Sequence, residues 1–86
     1  MALTLNQLAI TIQAITHIGK AIKYRRPISP YAIGVLEHTG WDERAITWLT
    51  SDINNTRRAY LRAVAVLRAR VTASAPDEQD KELETL

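Results

Sequence analysis

Arginine is the residue type in this sequence with the clearest capacity to bind a partner. Five arginines occur between residues 54 and 71, interleaved with alanine, valine and leucine. A guanidinium group forms paired hydrogen bonds to carboxylate or phosphate, so a surface that displays several of them suits an anionic partner. Arginine stems would equally well cover the apolar surface of a helix while their charged ends stay hydrated, and both interpretations remain open. The arginines are Arg57, Arg58, Arg62, Arg68 and Arg70.

A second basic group lies just before Pro27, where we expect the first helix to end. If the helices that carry the two groups pack antiparallel, both groups come together at one end of the molecule. In that arrangement Arg57 and Arg58 are the better candidates for binding, whereas Arg68 and Arg70 serve solubility. The predicted basic binding residues are Lys20, Lys23, Arg25, Arg26, Arg57, Arg58 and Arg62.

Two tryptophans are seven residues apart, which places Trp41 and Trp48 on one face of a predicted short helix. Ile46 and Leu49 fall on an adjoining face, so the apolar arc is wide for a helix of this length. All four side chains would fit a core. Alternatively, one tryptophan is an exposed anchor for a partner protein or for self-association, because tryptophan and arginine dominate interface hot spots. Both tryptophans therefore join the candidate binding residues.

The sequence offers little for catalysis. His17 and His38 are the only histidines and there is no cysteine, so no cluster has the spacing of a metal site. The serines lie near predicted helix caps or in the acidic tail, where hydrogen bonds to the local backbone explain them, and a nucleophile would need an activating base held beside it. Three scattered glycines do not form a phosphate-binding loop. We therefore expect a non-enzymatic protein without a metal, a cofactor or a small-molecule substrate.

The elements that must position these residues are four predicted helices, two long and two short, with no strand. Thr4 and Gln7 have the spacing of a capping box at the start of the first helix, and Ser29 followed by Pro30 marks the start of the second. Acidic residues in the first turn favour a third helix from about Trp41. The helices are predicted to span approximately residues 5–24, 30–38, 41–50 and 53–72.

Two further patterns predict how the helices pack. Gly19 and Gly34 lie inside predicted helices, where each glycine costs about 1 kcal/mol relative to alanine. Close helix contact, for instance against Ala59, Ala63 or Ala69, is the expected compensation, and a glycine that is merely tolerated is the alternative at each position. In the last helix, an apolar stripe at helical spacing is predicted to face the core. This stripe comprises Ile53, Tyr60, Val64, Leu67 and Val71.

Charge is unevenly distributed along the chain. Residues 1–72 contain ten Lys/Arg and four Asp/Glu, a balance of +6, and residues 73–86 contain one lysine and five acids, a balance of −4. We predict an all-α helical domain, 1–72, followed by a flexible acidic C-terminal tail, 73–86. No basic stretch precedes the first apolar run and polar residues interrupt that run, so we expect neither a secretory signal nor a membrane span. The expected location is the cytoplasm.

Two functional hypotheses follow. The first is a small regulatory or inhibitor-like interaction protein that binds an acidic face of a partner protein and forms a homo-oligomer. The second is a nucleic-acid-binding protein that uses the basic end of the first and last helices. The 30–50 region has the layout of a helix-turn-helix around Gly40, but Asp42 and Glu43 lie where a recognition helix needs hydrogen-bond donors. Binding through phosphate neutralisation needs no such helix.

Overall fold

The computed structural model describes residues 3–73, which form four α-helices and no strand. Helix accounts for 82% of the described residues. This confirms the predicted all-α fold with two long and two short helices. The predicted tail lies outside the described residues, except for Ala73, which is the last residue of the fourth helix. The helices are α1 (Leu5–Lys23), α2 (Pro30–His38), α3 (Glu43–Ser51) and α4 (Ile53–Ala73).

The predicted capping box begins α1. The Thr4 hydroxyl accepts the Gln7 amide at 3.0 Å, and the Gln7 side chain accepts the Thr4 amide at 2.8 Å. Two amides that lack helical partners are thereby satisfied. Ser29 occupies the position before α2 as expected, and Pro30 is the first helical residue, but the Ser29 side chain forms no capping hydrogen bond. The fixed φ of proline and not the serine hydroxyl therefore defines that start.

The third helix begins two residues later than the sequence predicts. Asp42 is its N-cap and accepts the Ala45 amide at 2.8 Å. Trp41 consequently belongs to the turn between α2 and α3, so the expectation that both tryptophans lie on one face of one helix is wrong. The reason is local, because a capping carboxylate must have an extended backbone and cannot itself lie in the first turn.

The core lies where the middle of α1 meets the two short helices and the start of α4. Four large side chains have 2% or less of their surface exposed, and Ala14, Ala32 and Ala59 complete the buried cluster. The four are Ile15, Ile18, Leu36 and Leu49. Ile15 and Ile18 are three residues apart in α1 and therefore lie on the same face of that helix.

Helices α1 and α4 pack antiparallel along a seam of small residues. A Cβ placed on Gly19 would lie 3.0 Å from the Thr56 methyl carbon, so the two backbones approach closely there. Thr56 and Ala59 are the buried residues of α4, and Ala63 packs against the core beside them. The predicted close contact of Gly19 is confirmed, although its neighbour is Thr56 and not an alanine.

The apolar stripe predicted to be the core face of α4 is wrong. Ile53, Tyr60 and Val71 are exposed, and Val64 and Leu67 are only half-buried. At about 100° per residue, the buried residues lie roughly a quarter-turn away from that stripe. Small side chains form the interface because they let the two helices approach closely. The large side chains lie at the edge of that interface. The packing role expected for Gly34 is also wrong, since nothing lies within 4 Å of a Cβ placed there.

Candidate functional site

Two of the predicted arginines and both tryptophans meet in one surface groove. This tryptophan–arginine groove has a volume of about 700 Å³ and is bounded by α1, the α2–α3 turn, α3 and α4. Buried Leu8 and Ala59 contribute to its apolar lining. It is therefore a concave apolar surface with cationic groups at its edge, the combination that suits an amphipathic and acidic ligand. The residues that give it this character are Trp41, Trp48, Arg58, Arg62, Ala63 and Val66.

Trp41 is positioned by the way α2 ends. Gly40 has a φ of +96°, a left-handed conformation that glycine adopts without strain. The Gly40 amide donates to the Glu37 carbonyl at 3.1 Å and the Trp41 amide donates to the Leu36 carbonyl at 2.9 Å. These two bonds form a Schellman motif, which brings the residue after the glycine back against the last turn of the helix. Trp41 accordingly packs against the core and is only partly exposed.

Trp48 is positioned by hydrogen bonds between α3 and the first turn of α4. The Asn55 side-chain amide donates to the Trp48 carbonyl at 2.9 Å, and the Ser51 hydroxyl donates to the same carbonyl at 2.8 Å. The buried Thr56 hydroxyl donates to the Leu49 carbonyl at 2.9 Å. These bonds satisfy carbonyls that the end of α3 leaves without helical partners. They fix Trp48 at the groove while 43% of its surface remains exposed.

Consecutive arginines of α4 lie on opposite sides of the small-residue seam. Arg58 lines the tryptophan–arginine groove, as does Arg62 one turn later, whereas Arg57 lines a second groove between the other flanks of α1 and α4. All three side chains are exposed, and within residues 3–73 none of them forms an ion pair. Their charges are therefore not neutralised by the carboxylates of the helical domain and are presented to solvent.

The second groove brings together only part of the basic cluster expected from antiparallel packing, since Arg25, Arg26 and Arg58 do not line it. This basic groove is lined by Lys20 and Lys23 of α1 and by Arg57 of α4. Its volume is about 610 Å³. Gly19 and Thr56 are also in its lining, so the seam separates it from the tryptophan–arginine groove. Like charges with no carboxylate among them give a site suited to an anion.

Tyr24 extends the basic end of the molecule. Its ring is 58% exposed, the Lys23 ammonium lies 5.5 Å from the ring centroid, and the Arg26 guanidinium carbon lies 5.7 Å from it. These are cation–π distances. Arg25 follows with a φ of +54°, and the Arg26 amide donates to the Ala21 carbonyl at 2.8 Å. Helix α1 thus ends in a Schellman motif whose left-handed position, usually glycine, is an arginine.

The remaining arginines of α4, Arg68 and Arg70, line neither groove. Arg68 is exposed and Arg70 is half-buried.

No family model, curated protein or solved structure matches this chain. Function must therefore be argued from the two grooves alone.

Sequence reasoning overlooked three contributors to these sites. Asn55 and Tyr24 were not singled out, and Val66 lies off the predicted apolar stripe. A glycine followed by a large apolar residue just after a helix is typical of a Schellman motif, and Gly40–Trp41 carries that signal.

Among the described residues, no three His, Asp or Glu side chains are grouped as metal ligands would be. No helix in the same range is both long and apolar enough to cross a bilayer.

Proposed function

We propose that this protein is a small, non-enzymatic interaction protein whose tryptophan–arginine groove binds an acidic amphipathic segment of a partner protein. The observation that carries the proposal is the convergence of Trp48, Trp41, Arg58 and Arg62 on one apolar concavity. Such a groove accepts the apolar face of a helix, with specificity supplied by charged residues at the rim. A location in the cytoplasm remains a prediction.

The chemistry of the groove determines what the partner segment must contain. An exposed indole is the kind of anchor that dominates binding free energy, and it requires an apolar side chain opposite it. Arg58 and Arg62 are four residues apart on one helix, so their side chains are neighbours. A segment with two carboxylates at the same spacing would meet both. Acidic residues at i and i+4 with leucine or isoleucine between them satisfy these requirements.

A displayed library of random twelve-residue peptides tests the proposal. Peptides selected on the full-length protein should be enriched in Asp or Glu at a spacing of four with a large aliphatic residue between them. Trp48→Ala should weaken their binding by about 30-fold or more, the effect of removing a hot-spot anchor of about 2 kcal/mol. Isothermal titration calorimetry of one selected peptide measures this.

The chain provides a closely matched control. Arg58→Glu and Arg57→Glu make the same charge change at adjacent exposed positions of α4, but only Arg58 lines the tryptophan–arginine groove. Arg58→Glu should therefore weaken the selected peptide far more than Arg57→Glu. Selected peptides that lack acids, or that bind both variants equally, would refute the proposal.

The basic groove supports a second candidate function, which is binding of nucleic acid through its phosphates. Lys20, Lys23 and Arg57 line one concavity, and Tyr24 beside them offers an exposed aromatic face for a base. Affinity for arbitrary duplex DNA should then fall by orders of magnitude between about 50 and about 200 mM salt. For this candidate Arg57→Glu is the test variant and Arg58→Glu the control, so Arg57→Glu should weaken binding more than Arg58→Glu. Weak binding that does not respond to salt would exclude this candidate.

Self-association belongs to the same proposal and has its own support. Leu61 of α4 is 60% exposed, and Tyr60, which lines the basic groove beside it, is 40% exposed. Large apolar groups on the surface of a small domain favour an interface that covers them. Light scattering after size exclusion should give a mass above 9.7 kDa per particle, and Leu61→Glu should lower it. A monomeric mass at all concentrations would reject homo-oligomer formation.

A further inference from the structure

We propose that residues 74–86 of this same chain occupy the tryptophan–arginine groove, and so compete with the partner segment. This inference rests on the proposed function, because it assigns a built-in competitor to the groove proposed to bind the partner. It is supported by charge, by the reach of the chain, and by the spacing of residues in the segment.

Charge complementarity is the first reason. Residues 74–86 contain five acids and one lysine, a balance of −4, whereas residues 3–73 contain ten Lys/Arg and four Asp/Glu, a balance of +6. One carboxylate, Asp42, also lines the groove, but it is the N-cap of α3 and accepts the Ala45 amide. Arg58 and Arg62 form no ion pair within the described residues. Both guanidinium groups are exposed and available to carboxylates from outside residues 3–73, and the adjoining segment carries five acids.

Reach is the second reason. Helix α4 ends at Ala73, and Val66 and Arg62, which line the groove, lie about 10 and about 16 Å back along the helix axis. Asp80 is seven residues beyond Ala73, which allows about 23 Å of extended chain, enough to reach Arg62 when the residues after Asp80 are helical. Pro76 prevents a simple continuation of α4 because the residue before a proline avoids the helical region. This preference disfavours a straight extension of the helix past residue 75 and suits a segment that turns back toward the groove.

Sequence spacing is the third reason. In a helical conformation, Asp80 and Glu84 are four residues apart with Leu83 between them, and Leu86 falls on the same face as Leu83. Arg58 and Arg62 have the same separation on α4. The segment thus has the composition that the groove requires, namely an apolar edge to meet the indoles and a pair of carboxylates to meet the pair of guanidinium groups.

Paramagnetic broadening in the full chain tests this docking. The chain has no cysteine, so Thr85→Cys carries a single nitroxide label. The two tryptophans give two indole N–H signals, which Trp41→Phe assigns. At about 50 mM salt the Trp48 signal should be strongly broadened, while the amide of Ile28, which lies outside the groove, should not. Replacing the five acids of residues 74–86 by their amides should restore the Trp48 signal.

Every outcome of this experiment decides the question. Broadening that requires the label on a different molecule, seen by mixing labelled unenriched chain with unlabelled ¹⁵N chain, would assign the contact to a second copy and overturn docking within one chain. Absence of broadening at Trp48, or equal broadening at Ile28, would overturn it as well. Loss of the effect in Arg58→Glu but not in Arg57→Glu would support it.

Peptide binding separates this inference from the proposed function. A segment that occupies the groove nine-tenths of the time weakens the binding of a competitor about tenfold. Amide replacement should therefore raise the affinity for the selected peptide about tenfold. Equal affinity before and after replacement would sink the inference and leave the proposed function intact. If the Trp48 signal is broadened but the protein selects no acidic peptide, the proposed function fails and the docking of residues 74–86 stands.

Discussion

Because α1 and α4 approach closely at Gly19, we expect two glycine-to-alanine substitutions to have different effects on the free energy of unfolding. Gly19→Ala and Gly34→Ala each replace a glycine within a helix, and each gains about 1 kcal/mol of helix propensity. They differ in their surroundings. A Cβ at position 19 lies 3.0 Å from the Thr56 methyl carbon, whereas a Cβ at position 34 has nothing within 4 Å.

Thr56 cannot easily move out of the way. It is 3% exposed, its hydroxyl donates to the Leu49 carbonyl, and rotation about χ1 would break that bond. Overpacking of this kind costs about 1–3 kcal/mol. Gly19→Ala should therefore change the free energy of unfolding by between about 0 and −2 kcal/mol. Gly34→Ala should raise it by about 1 kcal/mol. Because the propensity gain is common to both, their difference isolates the overpacking cost.

Urea denaturation followed by circular dichroism measures both variants, at one fixed protein concentration because self-association would otherwise shift the midpoint. For a domain of this size, 1 kcal/mol corresponds to about 4–8 °C in Tm. Combining Gly19→Ala with Thr56→Ser removes the methyl group in question and should recover part of the loss. If Gly19→Ala stabilised the protein as much as Gly34→Ala does, the described α1–α4 contact would be incorrect.

Three further outcomes are expected from the same denaturation assay. Arg25→Gly should raise the free energy of unfolding by about 0.5–1 kcal/mol, since glycine tolerates the left-handed backbone there, whereas Arg25→Ala should not, and equal effects would argue against strain at this position. Thr56→Val should lower the free energy of unfolding by about 1–3 kcal/mol, because it leaves the buried Leu49 carbonyl without its donor; a neutral result would mean that this hydrogen bond contributes nothing. Asp42→Ala should lower it by about 1 kcal/mol through loss of the Ala45 cap, and Asp42→Asn should retain most of the stability, so a similar loss in both would point to charge and not to capping.

Local signals in the sequence predicted the helices well. The capping box at Thr4 and Gln7, the proline at position 30 and the glycine at position 40 each have a stereochemical reason to begin or end a helix, and each does so. The start of α3 differs from the prediction because Asp42 is the N-cap and not a first-turn acid. An aspartate before a helix satisfies both patterns, and only the backbone conformation distinguishes an N-cap from a first-turn residue.

The core-facing side of α4 was not predictable in the same way. Hydrophobic periodicity favours the stripe with the largest side chains, but the buried residues are Thr56 and Ala59. Which side of a helix is buried depends on the distance at which its neighbour packs, and that distance depends on a glycine in a different helix. Gly19 and Thr56 are far apart in the sequence. A pattern within one segment of the chain therefore does not indicate that these two residues are in contact.

The same seam explains why the candidate site could be predicted by residue type but not by arrangement. Arg57 and Arg58 are adjacent in sequence and were grouped as one basic end, yet successive residues of a helix point about 100° apart. With the small residues buried between them, one guanidinium group joins Lys20 and Lys23 and the other joins the tryptophans. A helix that buried its large stripe instead would have rotated by about a quarter-turn and placed both arginines differently. The chemical difference between the two grooves therefore originates in the small residues that separate them, and a substitution that widened the seam should disturb both grooves together.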